Sequence, residues 1–375
     1  MNEAVLKSNK MLNKRQERFV KGIQEELVKN KEFTVNLINS QYCALEVKQD
    51  LKDDFIKSAW VPYEYGDAVY GLPETLSYPM MFYRKDILDE LGIEPPKTWD
   101  EVKVVLSVLS NNQMDLGMLP TEVTFASMLY QNGGTYYKAD GKASNLDSEI
   151  GINTFKQYTE YYTLYTLDRA TSVTNRFRTG EAPIIIADYT TYNELVASAP
   201  DIKGLWGFTT IPGTVQEDGS IDCTAAAGGC ATIMMQACED KPAAWEFMQW
   251  WASAETQLAY GLELEGVMGS AARYPTANKE AFASLPWSVT EYSALSEQME
   301  HLEGIPQVPG GYYTWRNVNN AFYTTVVSKT MQPREALTEN IRYINEEINI
   351  RNTRLIDLYS NNNLNITISN FYTYE

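Results

Sequence analysis

Short apolar runs alternate with amphipathic helical stretches along almost the whole chain, and that alternation narrows the fold more than any other feature. Residues 80–83 form an apolar run of strand length. The helical stretch 85–91 follows and is stopped by Gly92, a residue that enters the left-handed region without steric cost. Residues 183–187 (PIIIA) read as a fully buried strand, followed by a helix over 192–198 and a strand that begins at Trp206. Alternation of this kind predicts an α/β fold with mostly parallel sheets. At 375 residues the chain exceeds what one core usually fills, so two lobes are expected.

Other elements follow from spacing. Phe19, Ile23 and Leu27 predict a helix over 15–30, and FTVNLI a strand over 33–38. Gly66-Asp67 reads as a turn. Thr98 with Glu101 three residues on is a capping-box pattern for a helix to about Ser110. A strand is expected at 114–119 and a helix at 125–130, closed by Asn132-Gly133-Gly134. A long helix is expected at 147–165 and another at 241–257. The second carries Trp245, Phe247, Trp250 and Trp251 at spacings that suit a core. Two more helices, 317–328 and 333–355, close the chain.

Charge and residue counts exclude several function classes. A net charge of −18 without a basic stripe repels a phosphate backbone, so nucleic acid is not an expected partner. The single histidine, His301, removes most hydrolytic triads and His-rich metal sites, and reads as a solvated helix-end residue. Cys43, Cys223, Cys230 and Cys238 form no CxxC pair and no zinc spacing, and read as packing thiols. No calcium-loop spacing occurs. Neither metal nor cofactor is expected. The first residues are basic but lack an apolar secretion core, and no apolar run reaches the ~18 residues of a membrane helix. A soluble chain is expected, with any secretion signal or lipid anchor outside this sequence.

Three fragments in order carry a family resemblance: Val69-Tyr70-Gly71-Leu72-Pro73, then Met81 to Leu88 (MFYRKDIL), then Pro95 to Val102 (PPKTWDEV). Tyr130-Gln131-Asn132-Gly133-Gly134, Phe177 to Ala182 (FRTGEA) before Ile184-Ile185-Ile186, and Gly228-Gly229 before Ala243-Ala244-Trp245-Glu246-Phe247 extend it. Together they resemble the extracellular solute-binding proteins of ABC importers, the group that includes maltose-binding protein, over roughly residues 50–350. Arg84 stands where that family usually has Asn. Only one helix and one strand precede Trp60, so the first lobe is expected to be incomplete at its start.

The resemblance implies a two-lobed periplasmic-binding-protein-like fold of type II with a hinge. The lobes are expected at 1–80 plus 230–295 and at 81–229 plus 296–375. It further implies a monomeric carrier, a lipoprotein at the extracellular face of the membrane or in the periplasm, that captures a carbohydrate and delivers it to ABC permease subunits. Tyrosine suits such a ligand, because its ring packs on sugar C–H faces and its hydroxyl answers sugar hydroxyls. Expected ligand residues lie in loops at strand ends: Glu74, Ser77 and Tyr78; Thr121, Glu122 and Phe125; Asp188, Tyr189, Thr190 and Tyr192; and Tyr313 with Trp315 as a stacking platform. Gly228 and Gly229 are expected at the hinge or in close packing. A ligand sensor, or a homologue that no longer binds, would share the fold. A glycosidase pair such as Glu74 and Asp188 is a weaker reading, because any acidic chain offers many such pairs.

Overall fold

The computed structural model describes residues 42–65, 68–169 and 172–361, with side chains to residue 351. The expected helix at 15–30, the strand at 33–38 and the turn at 66–67 lie outside these residues. The first part runs α1 (Gln49–Asp53), β1 (Glu64–Tyr65), β2 (Ala68–Val69), β3 (Leu72–Pro73), β4 (Pro79–Arg84), α2 (Lys85–Leu91) and α3 (Trp99–Asn111). The middle part runs β5 (Leu116–Met118), α4 (Glu122–Gln131), α5 (Glu149–Thr163), α6 (Val173–Thr179), β6 (Ile184–Asp188), α7 (Thr191–Ser198) and β7 (Trp206–Thr209). Then come β8 (Thr214–Val215), β9 (Ile221–Asp222), β10 (Ala225–Ala227), β11 (Ala231–Thr232), α8 (Lys241–Ala252) and α9 (Ala254–Met268). The last part runs α10 (Lys279–Ser284), α11 (Val289–Met299), β12 (Leu302–Gly304), α12 (Tyr312–Phe322) and α13 (Pro333–Asn361).

The order of the central sheet is β5-β6-β4-β7. Side chains alternate across a strand, so its two faces feed different cores. Met81, Ile184 and Ile186 enter one core with Leu116 and Met118, built with α3, α4, α5, α12 and α13. Met80, Phe82 and Ile185 enter the other, with Phe55, Trp60, Leu72, Phe282 and Leu295. The chain passes between the cores a second time in β10, where Ala225 and Ala226 belong to the first and Ala227 to the second. The PIIIA strand is buried as expected through Ile186.

Several expectations change. The sheet is mixed: β4 runs antiparallel to both β6 and β7, while β5 and β6 are parallel, as are β10 and β12. Alternation fixes the order of elements but not the end of the sheet to which each connection returns. The expected helix 241–257 is broken at Ser253, whose backbone is extended (φ −65°, ψ 150°) and whose hydroxyl accepts the Thr256 N–H at 3.3 Å. Of the aromatic residues on it Trp245 packs on the second core, whereas Phe247 and Trp250 are each 56% exposed. Thr98 caps α3 as expected, but Glu101 reaches back to the N–H of Lys97 at 2.6 Å, one residue before the cap. Gly92 and Gly180 end α2 and α6 in the left-handed region (φ 64° and 83°). All four cysteines are free, and His301 is exposed.

Candidate functional site

The crossing between the two cores is built on hydrogen bonds to two carboxylates. Ser77 precedes β4 and exchanges backbone hydrogen bonds with Gly228 at 2.7 and 3.0 Å, which ties both crossings together. The Ser77 hydroxyl donates to Asp188, at the end of β6. The other Asp188 oxygen accepts the Thr190 N–H at 2.9 Å and its hydroxyl at 2.6 Å, turning the chain into α7. Glu74 accepts from the hydroxyls of Tyr274 at 2.8 Å and Thr232 at 3.2 Å. A side chain at Gly229 would collide with the carbonyl oxygen of Thr75, so the strands close here only because residue 229 is glycine.

A second group lies at the start of α4. Thr121 caps this helix through the Thr124 N–H at 3.2 Å, which presents Glu122 in its first turn. Around it stand three tyrosines. Tyr130 donates to the carbonyl of Gly304 in β12 at 3.0 Å, and Tyr137 donates to the Thr314 hydroxyl of α12 at 2.8 Å. The Tyr136 ring sits between them, 6.3 and 6.1 Å from their centroids. Burial pushes the Glu122 carboxyl from its usual 4.5 up to about 7. Burial also raises the three phenols, with the nearby Glu122 charge adding to the rise; Tyr137 reaches about 12. At neutral pH these phenols are therefore hydrogen-bond donors.

The loop 57–65 joins the two groups. Gly304 packs so closely on Val61 and Ser58 that a Cβ there would overlap them, and the Tyr63 hydroxyl donates to the Gly229 carbonyl at 2.7 Å. Burial pushes the Tyr63 phenol up to about 12.

The expected ligand residues divide among these surroundings. Glu74, Ser77, Asp188 and Thr190 come together at the crossing, partly exposed. Thr121 and Glu122 come together at the head of α4. Phe125, one turn deeper, is 0% exposed and packs on Tyr136, Phe155 and Tyr158, so it has no face for a ligand. Tyr78 and Tyr189 are buried against each other, centroids 4.8 Å apart, and their hydroxyls bond the carbonyls of Leu295 and Leu76. Tyr192 is buried beneath the Arg273 guanidinium, 5.4 Å from the ring, which also lies 4.3 Å over Trp287. Tyr78, Tyr189 and Tyr192 are taken up by the second core, which fills the space beside β6, and Phe125 by the first. Tyr313 and Trp315 lie in the first turns of α12, with Trp315 half-buried on the first core. Sequence reasoning passed over Tyr63, Tyr130, Tyr137 and Tyr274. Tyr63, Tyr130 and Tyr137 lie within three residues of a glycine, whereas no glycine stands near Tyr274.

Residues 41–258 match the family of bacterial extracellular solute-binding proteins. The chain belongs to that family. This solute-binding protein is 29% identical over 213 residues to the maltotriose-binding protein of Pyrococcus abyssi, covering 55% of this chain and 45% of that relative. It is 24% identical over 264 residues to the arabinooligosaccharide-binding protein of Bacillus subtilis, covering 67% and 57%. The chain thus spans about half the length of the curated relatives it matches. Among solved structures it is similar to the sugar-binding protein MalE from Xanthomonas citri, at a TM-score of 0.69 and 17% identity over 86% of this chain and 82% of that one. At that identity the likeness concerns the fold, which is the maltose-binding type of periplasmic binding protein. Among the described residues no helix is long and apolar enough to cross a membrane, and no cluster of ligating side chains would hold a metal ion.

Proposed function

We propose that this protein captures a neutral carbohydrate, an oligosaccharide, at the head of α4 and presents it to ABC permease subunits at the extracellular face of the membrane. One observation carries the reading. The Glu122 carboxyl is partly buried among Tyr130, Tyr136 and Tyr137, and no side chain or backbone group among the described residues donates to it. A carboxyl so placed accepts, or when protonated donates, the hydrogen bond that a sugar hydroxyl completes, while flanking rings supply apolar faces. Tyr313 and Trp315 on α12 extend that surface, and Thr121 borders it. The passages at 77–79 and 225–228 serve as the hinge about which the lobes close.

Catalysis is not part of the proposal. Glu74 and Asp188 each hold hydroxyl donors in separate networks, an arrangement that orders a crossing strand and does not pair the two carboxyls around a glycosidic oxygen. The relatives named for maltotriose and arabinooligosaccharides define the compounds to try first. The test is the thermal midpoint of the protein in a panel of mono- and oligosaccharides. A ligand at about one hundred times its Kd adds ~2.7 kcal/mol to the folded state. A rise for at least one sugar, without release of smaller sugars, is expected. A flat panel would remove the carrier reading.

A further inference from the structure

Cys43 and Cys238 meet at one place in the second core, although the chain between them runs through the whole central sheet. Tyr42 and Met235 form an antiparallel bridge, and the Cys43 N–H donates to the Met234 carbonyl at 2.8 Å. Residues opposite each other across such a bridge turn their side chains to the same side. Cys43 and Met234 are both buried, so the Cys43 thiol faces into the second core. The chain then reverses. The Cys238 N–H donates to the Met235 carbonyl at 2.9 Å, and Cys238 packs on the same core. Its thiol donates to the Asp240 carbonyl at 3.4 Å, a weak bond that costs little to give up. Burial pushes the Cys43 thiol up, the Lys241 ammonium draws it down, and the neighbouring Cys238 raises it further.

The other two cysteines stand elsewhere. Cys223 lies between β9 and β10, where its carbonyl accepts from the Gln298 side chain at 2.9 Å. Cys230 precedes β11, beside Tyr63 and Tyr274 at the crossing. Access differs within the Cys43–Cys238 pair. Cys43 is buried, whereas Cys238 is half-buried at the end of a turn whose residues 235–237 are exposed. Cys238 can therefore meet a dissolved oxidant. The exposed turn can also adjust to the Cα separation of about 4.4–6.8 Å that a disulfide needs. The family is an extracellular one, and proteins outside the cell meet an oxidising solution.

We propose that Cys43 and Cys238 form a disulfide that fastens residue 43 to the turn ahead of α8. The oxidant is a small-molecule disulfide. The Cys238 thiol gives its proton to solvent, and its sulfur attacks one sulfur of the oxidant. A mixed disulfide forms, the oxidant's own sulfur–sulfur bond breaks, and one small thiol leaves. The Cys43 thiol then gives up its proton, its thiolate held by the Lys241 ammonium, and attacks the Cys238 Sγ. The protein disulfide forms and the second small thiol leaves. One disulfide is thus reduced to two thiols while Cys43 and Cys238 lose two hydrogens between them. The link closes the chain from 43 to 238 into a loop that holds β3 to β11, and so restricts the unfolded chain.

The test uses the full chain. The folded protein is incubated with oxidised glutathione, remaining thiols are blocked with N-ethylmaleimide, and an unreduced digest is read by mass spectrometry. Free thiols counted after denaturation are expected to fall from four to two, with Cys43 and Cys238 in the linked peptides. The variant Cys223→Ser/Cys230→Ser keeps only this pair. It is expected to lose both thiols at least about tenfold faster when folded than in guanidinium, because the fold, not chance closure of a long loop, brings the sulfurs together. The thermal midpoint of the oxidised protein is expected to rise by on the order of 5 °C and to return when dithiothreitol is added. Thiols that all stay reduced, or a stable glutathione adduct on Cys238 that Cys43 never displaces, overturn the proposal. So do a link to Cys223 or Cys230 in the unsubstituted protein, oxidation of the variant no faster folded than in guanidinium, and a Cys43–Cys238 link that leaves the midpoint unchanged.

Discussion

Replacing Glu122 by glutamine isolates the energetic consequence of placing a carboxyl among tyrosines. Burial lifts this group from 4.5 to about 7. Each pKa unit is worth 1.36 kcal/mol, so keeping the group ionised in the fold costs about 3 kcal/mol. The group keeps partial contact with solvent, so roughly 2–3 kcal/mol of that is expected to appear as stability. The folded protein holds this proton more tightly than the unfolded chain. Below pH 4.5 both states are protonated and the group has no effect. As pH rises from 4.5 to 7 the unfolded chain gives up the proton first, and stability falls; above 7 the full cost is present. Glutamine keeps the shape and cannot ionise. Glu122→Gln is therefore expected to match the wild type near pH 4.5 and to exceed it by about 2–3 kcal/mol at pH 8. The midpoint should then rise by on the order of 5 °C. Thermal unfolding followed by near-ultraviolet circular dichroism at pH 4.5, 6, 7 and 8 measures this. An offset that is equal at all four pH values, or a variant less stable at pH 8, would refute the account of Glu122.

Two further substitutions probe the crossing and its neighbourhood. Gly229→Ala forces a Cβ onto the Thr75 carbonyl and is expected to lower the thermal midpoint by several degrees, whereas Gly228→Ala, where a Cβ meets open space, should cost under about 1 kcal/mol. Glu265→Gln leaves Arg273, which is buried and bonded to Glu265 at 2.5 and 3.1 Å, without its counter-charge. A loss of about 3–5 kcal/mol in denaturant unfolding is expected.

The parts of the fold that could be read in advance are those fixed by neighbours in sequence. Gly92 and Gly180 stop their helices, Thr98 caps α3, and PIIIA is a buried strand because each of these depends on a few adjacent residues. What escaped is long-range. Tyr130 finds Gly304 across 174 residues and Tyr137 finds Thr314 across 177, so neither partnership leaves a local pattern. Phe125 shares a helix turn with Glu122 yet belongs wholly to the core, a difference in depth that spacing cannot express. Tyr78, Tyr189 and Tyr192 were expected at the cleft because they sit at strand ends. They are buried because the second core packs against that edge, and Arg273, the side chain that caps Tyr192, lies 81 positions away. The aromatic run on α8 suited a core by spacing, but the helix turns only Met248 and Ala252 fully inward and leaves Phe247 and Trp250 exposed.

The central claim is that a neutral oligosaccharide binds at the head of α4. Isothermal titration of the folded protein with maltotriose and with an arabinooligosaccharide tests it most directly, with Tyr137→Ala titrated in parallel. The account predicts saturable one-to-one binding of at least one of these sugars, and a loss of affinity of tenfold or more in the variant. Saturable binding that Tyr137→Ala leaves intact, or no binding of either sugar by a protein shown to be folded, would contradict it.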